Sequence, residues 1–229
     1  MTTHAHPRIS PDHTLAELAT EFAGASRVFQ RHELDFCCGG GKTLGEACRE
    51  RRLAVDEVIG ELEHEVTGSA PARDWRDGTI SQLLTHIVDG YHRSHREELP
   101  RLWAMADKVE RVHAGKSGLP RGLAAHLRWM VDSLDLHMQK EEQVLFPWLL
   151  AGEYQRAMMP ISCMEHEHDE HGRSLAKTRD LTNGLVPPAE ACTTWRALYA
   201  GLEEFERAVM EHVHLENHVL FPWVRELAG

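Results

Sequence analysis

The 229-residue sequence is short of basic residues, with 25 Lys and Arg against 36 Asp and Glu, and its formal net charge is −11. Neutralising the phosphates of a nucleic acid requires clustered positive charge, and the sequence has no such cluster. No apolar run approaches the roughly 20 residues of a membrane-spanning helix, and the first ten residues lack the apolar core of a signal peptide. The composition predicts a cytoplasmic protein with no nucleic-acid or membrane partner.

Cysteine and strand patterns are scarce as well. The five cysteines are odd in number and irregularly spaced, which fits a reducing compartment better than a disulfide framework. No segment shows the strict alternation of apolar and polar residues, or the hairpin dipeptides, that are typical of strands. These absences predict an all-α protein.

The helical segments divide into two domains. Thr14 with Glu17 and Thr43 with Glu46 fit the capping box that begins a helix. Residues 67–78, TGSAPARDWRDG, have the composition of a linker. We therefore expect a small helical domain over residues 1–72. Over residues 73–229, four long segments with helical spacing and short connections predict an antiparallel four-helix bundle.

Histidine is abundant, with 17 residues, and part of it belongs to a repeat. HMQKEEQVLFPW at 137–148 returns as HVHLENHVLFPW at 212–223. Each copy places a His and a Glu four residues apart on the apolar stripe of its helix, so both side chains point to one place in the core. The residues are His137, Glu141, His212 and Glu216. Buried without a partner, such groups would cost several kcal/mol each, so a cation is expected among them.

The other two bundle segments also bring histidine to their inner faces. The first offers His92 and His95 and the third offers His168 and His171, and the spacing leaves open which of each pair faces the centre. By the same count, four histidines are expected to face solvent. They are His86, His166, His214 and His218.

The type of ligand limits the choice of metal. Imidazole and carboxylate without thiolate suit iron, manganese or zinc, and four-helix bundles with such ligands hold two ions bridged by carboxylates. A closed structural zinc site needs only four ligands. Two irons with an open coordination position are the preferred interpretation. The alternative is a zinc-filled or metal-free bundle in which the histidines and glutamates pair by hydrogen bonds.

The two repeats, with YHRSHREELPRLW near residue 91 and PISCMEHEHDEHG near residue 160, resemble the hemerythrin-like domain. Together with the N-terminal LDFCCGGGKTL, they resemble the iron-sulfur cluster repair di-iron proteins of bacteria over almost the whole chain. The resemblance implies an oxo- or hydroxo-bridged pair of irons that Glu141 and Glu216 also bridge, with His95 and His171 as neighbours. The six ligands that it implies are His92, His137, Glu141, His168, His212 and Glu216.

The resemblance also implies a function, the repair of iron-sulfur clusters damaged by nitrosative or oxidative stress. Repair would proceed by iron donation, by nitric oxide reduction at the di-iron centre, or by both, and only the second is an enzymatic activity. The implied partners are nitric oxide, oxygen and damaged iron-sulfur proteins. The alternative is a protein that binds or senses oxygen, nitric oxide or iron without catalysis. A carrier has no use for the N-terminal domain, and a sensor would be expected to have an output domain, which is not recognisable.

Cys37 and Cys38 lie in CCGGGKT, which fails the phosphate-loop pattern because Phe36 stands where glycine is required. One interpretation is a pair of small packed residues. The other is a pair of thiols with pKa values depressed by a helix start and Lys42, which pass electrons to the metal centre or engage iron in transit. A homodimer that brings this pair near the other chain is a further expectation. Cys48, Cys163 and Cys192 are expected to be packing residues.

Overall fold

The computed structural model describes residues 9–22, 24–68 and 73–229. Regular secondary structure in these ranges is helical, and extended backbone pairs only in an isolated bridge between Thr14 and Thr43. The all-α prediction is confirmed. Within the same ranges, no helix is long and apolar enough to cross a membrane.

Four short helices form the N-terminal part of the molecule. They are α1 (Leu15–Glu21), α2 (Ala25–Arg31), α3 (Leu44–Arg51) and α4 (Val55–Gly68). Both predicted capping boxes are present. The Thr14 hydroxyl accepts from the Glu17 N–H while the Glu17 carboxylate accepts from the Thr14 N–H, and Thr43 and Glu46 form the same reciprocal pair. The apolar faces of these helices enclose a small core of their own.

Four long helices form the bundle, and three of them contain a short π-helical segment. The first comprises α5 (Ile80–His86), π1 (Ile87–His92) and α6 (Arg93–Val112); the second comprises α7 (Leu123–Lys140), π2 (Glu141–Leu145) and α8 (Phe146–Leu150); the third is α9 (Tyr154–Leu181); the fourth comprises α10 (Thr193–Leu215), π3 (Glu216–Leu220) and α11 (Phe221–Ala228). A 3₁₀ turn, Trp75–Asp77, precedes α5.

Contacts between consecutive bundle helices show that these helices are antiparallel. Between α6 and α7, Glu110 accepts from the N–H of Ala124 at one end, whereas Arg96 pairs with Asp135 nearer the other end. The residue numbers of the contacts therefore rise along one helix as they fall along its neighbour. The same holds between α7 and α9 and between α9 and the fourth helix. The predicted antiparallel four-helix bundle is confirmed.

The π segments begin or end at predicted metal ligands. In π2 and π3, the N–H of Phe146 donates to the carbonyl of Glu141, and that of Phe221 to Glu216, five residues back instead of four. Each widened turn stands directly before a proline, Pro147 or Pro222, which has no N–H and would crowd the carbonyl four residues back in a regular helix. A π segment inside an α-helix is frequent at functional sites.

The N-terminal helices pack against the fourth bundle helix. Ser26 donates to the Glu211 carboxylate at 2.7 Å, and the side chain of Gln30 donates to the Glu203 carbonyl at 2.7 Å. The predicted domain boundary after residue 72 and the middle of the predicted linker fall on residues 69–72, outside the described residues, so that boundary stays a prediction.

Candidate metal centre

Six side chains converge in the interior of the bundle, at least one from each of the four helices. They are His92 from the first, His137 and Glu141 from the second, His168 from the third, and His212 and Glu216 from the fourth. All six are at most 1% exposed. The structure therefore brings together the six residues that the resemblance implied as ligands.

The four histidines form two pairs. The Nε2 atoms of His92 and His212 lie 3.1 Å apart, and those of His137 and His168 lie 3.2 Å apart. Within each pair, the ring planes are inclined to one another by 65°. Each pair thus directs two ring nitrogens at one point, which is the arrangement of two ligands of a single ion.

The two glutamates face both pairs. Glu141 has its Oε2 3.4 Å from His92 Nε2 and its Oε1 3.2 Å from His137 Nε2. Glu216 is placed in the same way, with Oε1 3.5 Å from the first pair and Oε2 3.1 Å from the second. Each histidine pair and both glutamates make a group whose candidate ligand atoms all lie within 4.8 Å of one another. The glutamates belong to both groups.

The carboxylates lack ordinary partners. Among the described residues, none of the four carboxylate oxygens of Glu141 and Glu216 accepts a hydrogen bond of acceptable geometry. A buried carboxylate without compensation costs several kcal/mol, and the adjacent imidazoles offer lone pairs as well as N–H groups. Unsatisfied buried oxygens beside converging ring nitrogens are what a cation site requires, so the residues present fit a metal centre.

The pKa values of the cluster also fit a cation at its centre. Burial lowers the pKa of His212 well below its ordinary value. Burial would raise the pKa of Glu216, but the nearby imidazole of His168, together with the charges of His137 and His92, outweighs it and the pKa is lowered. Burial opposes protonation of His137, yet the charge of Glu141 and further carboxylates raise its pKa to about 10. A metal ion binds a neutral imidazole and an ionised carboxylate. A cation at the centre would therefore compete with the proton on His137 and displace it.

Three of the four imidazoles are held from their outer nitrogen. His92 Nδ1 lies 2.7 Å from the Glu142 carboxylate, which Arg96 also binds at 2.7 Å. His137 Nδ1 lies 3.0 Å from the Glu167 carboxylate, which also pairs with the Lys140 ammonium. Because a carboxylate only accepts, Nδ1 carries the proton in both rings and Nε2 is left to face the centre.

The third of these imidazoles is held by an amide. His168 Nδ1 lies 2.7 Å from Asn217 Oδ1, and Asn217 Nδ2 donates to the Cys37 carbonyl at 3.0 Å. Asn217 therefore joins the centre to the cysteine motif. His212 differs from the other three, because its Nδ1 has no hydrogen-bond partner among the described residues.

The contacts of the two histidine pairs are related by the sequence repeat. Glu142 and Asn217, which hold His92 and His168, each directly follow the repeated glutamate, and Phe146 and Phe221 of the repeated LFPW stack on the same two rings. Glu167 directly precedes His168 in the third helix. The corresponding position of the first helix, directly before His92, holds Tyr91. Its ring stacks on His212 at a centroid distance of 5.6 Å instead of accepting a hydrogen bond.

His95 and His171 lie beside the centre but outside both groups of candidate ligands. His95 is 1% exposed, with its ring 5.4 Å from that of His212, and His171 is 4.8 Å from the ring of His137. Burial lowers the pKa of both rings, that of His171 to about 3, so both are neutral neighbours of the cluster. Their placement agrees with the role that the resemblance implies.

Several expectations about individual residues were wrong. Of the four histidines expected to face solvent, only His166 is exposed, and His214 is buried because the N-terminal part packs on it through Phe36. Cys163, expected to pack, is exposed. The mostly buried carboxylate of Glu167 contacts His137. Glu142 and Asn217 were missed, although both directly follow a repeated glutamate.

The cysteine pair lies against the bundle and both thiols are free. The two Sγ atoms are 3.7 Å apart, and Cys38 Sγ donates to the His168 carbonyl at 3.4 Å. The expected depressed pKa is wrong for Cys37, because a hydrogen bond to Cys38, burial and the Asp35 charge raise it well above the ordinary value. Lys42, which was expected to stabilise the thiolates, pairs with Glu50 at 2.6 Å.

Comparison with family models gives the class of protein. The model described as the hemerythrin HHE cation binding domain matches residues 83–224, and the ScdA_N model, described as a domain of unknown function, matches residues 11–66. With the buried histidine and glutamate clusters, the first match indicates iron binding.

Relatives give the particular family. Proteins named iron-sulfur cluster repair protein YtfE are 47% identical in Pectobacterium atrosepticum, over 95% of this chain and 98% of the relative, and 48% identical in Musicola paradisiaca, over 94% and 96%. The same-named protein of Escherichia coli O1:K1 is 45% identical over 95% and 98%. The chain belongs to this family of iron-sulfur cluster repair proteins.

Proposed function

We propose that the bundle holds two iron ions, one at each histidine pair, which Glu141 and Glu216 bridge together with an oxo or hydroxo group. The observation that carries the proposal is the placement of the two carboxylates. Each has one oxygen toward either histidine pair, and no oxygen of either has a hydrogen bond among the described residues. A single ion would leave two of these buried oxygens unused.

We further propose that this centre serves the repair of iron-sulfur clusters damaged by nitrosative or oxidative stress. The relatives are named iron-sulfur cluster repair proteins, and the six donors of the centre could hold the iron for such repair. When bound, the ions supply exchangeable electrons and open coordination positions for nitric oxide or oxygen, and they are also a source of iron. Both routes, nitric oxide reduction and iron donation to damaged proteins, draw on the same six ligands.

The protein's own residues set the conditions for either route. Outer hydrogen bonds hold three imidazoles with Nε2 inward, so the centre is organised before a small molecule arrives. Neutral His95 and His171 with apolar Phe146 and Phe221 surround it and restrict water. The carboxylates of Glu142 and Glu167 are partly exposed and each contacts a ligand histidine, which offers a path for protons. Reduction of two nitric oxide molecules to nitrous oxide and water consumes two protons and two electrons, the latter from a separate donor.

The test is the metal content of protein purified without oxygen, with the optical spectrum recorded before and after reduction and on addition of nitric oxide. We expect close to two irons per chain, an oxo-bridge absorption that disappears on reduction, and a new nitrosyl band. Zinc, or folded protein without metal, would overturn the proposal. Tight nitric oxide or oxygen binding without nitrous oxide production or iron transfer would favour a binding or sensing protein.

The two routes are then separated kinetically. Nitric oxide reduction predicts nitrous oxide release with the iron content unchanged, whereas iron donation predicts loss of iron in step with recovery of a damaged cluster protein. We place this activity in the cytoplasm, because all five cysteines are free. A homodimer stays a prediction. Sedimentation tests it, and the cysteine pair already lies beside the centre of its own chain.

A further inference from the structure

A third group of candidate metal ligands lies outside the bundle centre, in the cysteine motif. It consists of Asp35, Cys37 and Cys38, with one carboxylate oxygen and the two Sγ atoms all within 4.8 Å of one another. The bundle centre offers only imidazole and carboxylate, whereas this group offers two sulfurs. It is therefore suited to a different, more thiophilic ion.

The separations within the group agree with a tetrahedral site. With metal–sulfur bonds of about 2.3 Å and metal–oxygen bonds of about 2.1 Å, two sulfur ligands lie about 3.8 Å apart, and a sulfur and an oxygen ligand about 3.6 Å apart. The observed distances are 3.7 Å between Cys37 Sγ and Cys38 Sγ and 3.3 Å between Cys37 Sγ and Asp35 Oδ1. A metal could therefore take the place of the thiol proton that Cys37 shares with Asp35 with little movement of these two side chains.

The backbone holds the three side chains in this arrangement. Asp35 Oδ1 accepts from the N–H of Cys37 at 3.1 Å and from that of Cys38 at 2.9 Å, which fixes the carboxylate over the thiols. Gly39 leaves room beside it, because a Cβ there would lie 3.2 Å from Asp35 Oδ2. Cys37 is buried, Cys38 is half-buried and Asp35 is exposed, so the site is open to solvent on one side.

Metal binding at this group displaces a thiol proton. Two thiols and a carboxylate lie close together, and Lys42 is paired with Glu50 instead of with them. The Cys37 thiol consequently has a pKa well above its ordinary value, owing to the Cys38 contact, to burial and to the Asp35 charge. A metal ion that binds the thiolate displaces the thiol proton, which makes binding stronger as the pH rises.

We propose that Asp35, Cys37 and Cys38 form a second metal site, which binds one divalent thiophilic ion through two thiolates and a carboxylate and leaves a fourth position to solvent. An open position is typical of sites that exchange their metal or a ligand, and a structural site would be closed. The proposal goes beyond iron-sulfur repair and does not depend on it.

The second site is connected to the bundle centre by short contacts. The Cys37 carbonyl accepts from Asn217, whose Oδ1 faces His168, and Cys38 Sγ donates to the His168 carbonyl. An ion bound there would act on the same histidine that serves the bundle centre.

Cobalt provides the test, because thiolate-to-cobalt charge transfer gives a near-ultraviolet band that imidazole and carboxylate ligands do not give. Co²⁺ is titrated into the full-length reduced protein that retains its own iron, and the experiment is repeated with Zn²⁺ as competitor. We expect a thiolate band that saturates near one Co²⁺ per chain, is displaced by Zn²⁺, and strengthens from pH 6 to pH 8. Iron content, measured in parallel, shows the bundle centre to be unaffected.

Variants assign the band to its residues. Cys38→Ser, at a half-buried position that tolerates the change, should abolish the band, and Cys37→Ser should do the same. Asp35→Asn should weaken Co²⁺ binding by roughly tenfold or more, a loss that even outer partners of a metal cause. Cys163→Ser, at an exposed thiol, should leave the titration unchanged.

Two outcomes overturn the proposal. One is the absence of a thiolate band when Co²⁺ is in excess over the reduced wild-type protein. The other is a band that survives Cys38→Ser or disappears with Cys163→Ser, since the sulfur ligands would then lie elsewhere.

Discussion

Each histidine of the centre has two ring nitrogens, and the partner of the outer one decides what the inner one can do. Glu142, Glu167 and Asn217 each accept from an Nδ1–H and so leave the Nε2 lone pair for a metal. A carboxylate makes the imidazole a stronger donor than an amide does, because it stabilises positive charge on the ring. The histidine pairs are therefore alike in geometry and different in electron donation.

Sharing of the carboxylates predicts a difference between glutamate and histidine variants. Glu141→Ala removes an oxygen from both groups of ligands, whereas His92→Ala removes a ligand from one group only. We expect Glu141→Ala to lose nearly all of its iron and His92→Ala to retain more. The measurement is iron per chain after oxygen-free purification, with His166→Ala, at the exposed histidine of α9, as a control that retains the wild-type content. Equal iron in both variants would mean that Glu141 is not shared.

Asn217 allows the hydrogen bond to His168 to be tested apart from the bond to Cys37. Asn217→Leu removes both, and we expect roughly a 10- to 100-fold loss of iron affinity, the usual effect of losing an outer partner. Asn217→Asp keeps an acceptor for His168 Nδ1 and should restore affinity, although it cannot donate to the Cys37 carbonyl. Affinity is measured by competition with a chelator. Equal losses in the two variants would assign the effect to the Cys37 contact.

At the scale of elements, the sequence predicted the repeated ligands well and their surroundings poorly. His137 and Glu141 stand on one regular stripe, so helical spacing identified them. His92 and His95 could not be distinguished by spacing, because π1 ends at His92 and changes the register of the helix there. Glu142 was missed because a regular helix would turn it about 100° away from its neighbour, and the partner that it meets lies on another helix.

The cysteine loop shows the same dependence on tertiary contact. A Cβ at Gly40 would lie 2.4 Å from the Phe36 carbonyl and 2.6 Å from His218 Nε2, whereas one at Gly41 would meet nothing within 4 Å. The repeated glycines look equivalent in the sequence. Of Gly40 and Gly41, only Gly40 lies between α1 and π3.

We therefore expect Gly40→Ala and Gly41→Ala to behave differently. Gly40→Ala should lower the free energy of unfolding by about 1–3 kcal/mol, as overpacking does, because the contact is with backbone that cannot easily move. Gly41→Ala should stay within about 0.5 kcal/mol of the wild type. Chemical denaturation monitored by circular dichroism compares the two. Equal stability of both variants would contradict the close packing of this loop on the fourth helix.

At the scale of the whole molecule, a buried ion pair fastens the N-terminal helices to the bundle. Arg179 of α9 pairs with Glu206 of α10 at 2.6 Å, Gln30 of α2 donates to the same carboxylate at 3.3 Å, and Glu33 lies 3.5 Å from the guanidinium. The side chains of Arg179 and Glu206 are 18% and 10% exposed. The pair therefore joins three parts of the fold, and the solvent screens it only partly.

Removal of one partner should be more damaging than removal of both. Arg179→Leu leaves the buried Glu206 carboxylate without a positive partner, although Gln30 still donates to it. We expect a loss of stability between the ~1 kcal/mol of a surface pair and the ~3–5 kcal/mol of a fully buried one. The double variant Arg179→Leu, Glu206→Leu should recover part of that loss, since no charge is left without a partner. Denaturant midpoints of the wild type, both single variants and the double variant form the cycle. A double variant less stable than Arg179→Leu would show that the pair is not compensated in this way.

The four imidazoles of the centre have different partners, so one ring can turn more easily than the other three. To turn about its Cβ–Cγ bond, the ring of His92, His137 or His168 must break a hydrogen bond at its outer nitrogen. The ring of His212 has none to break among the described residues, and only stacking with Tyr91 and its neighbours resists the movement. An ion at His92 and His212 would therefore meet the least resistance to a change in its coordination, and we expect metal exchange at this centre to begin on the side of Tyr91.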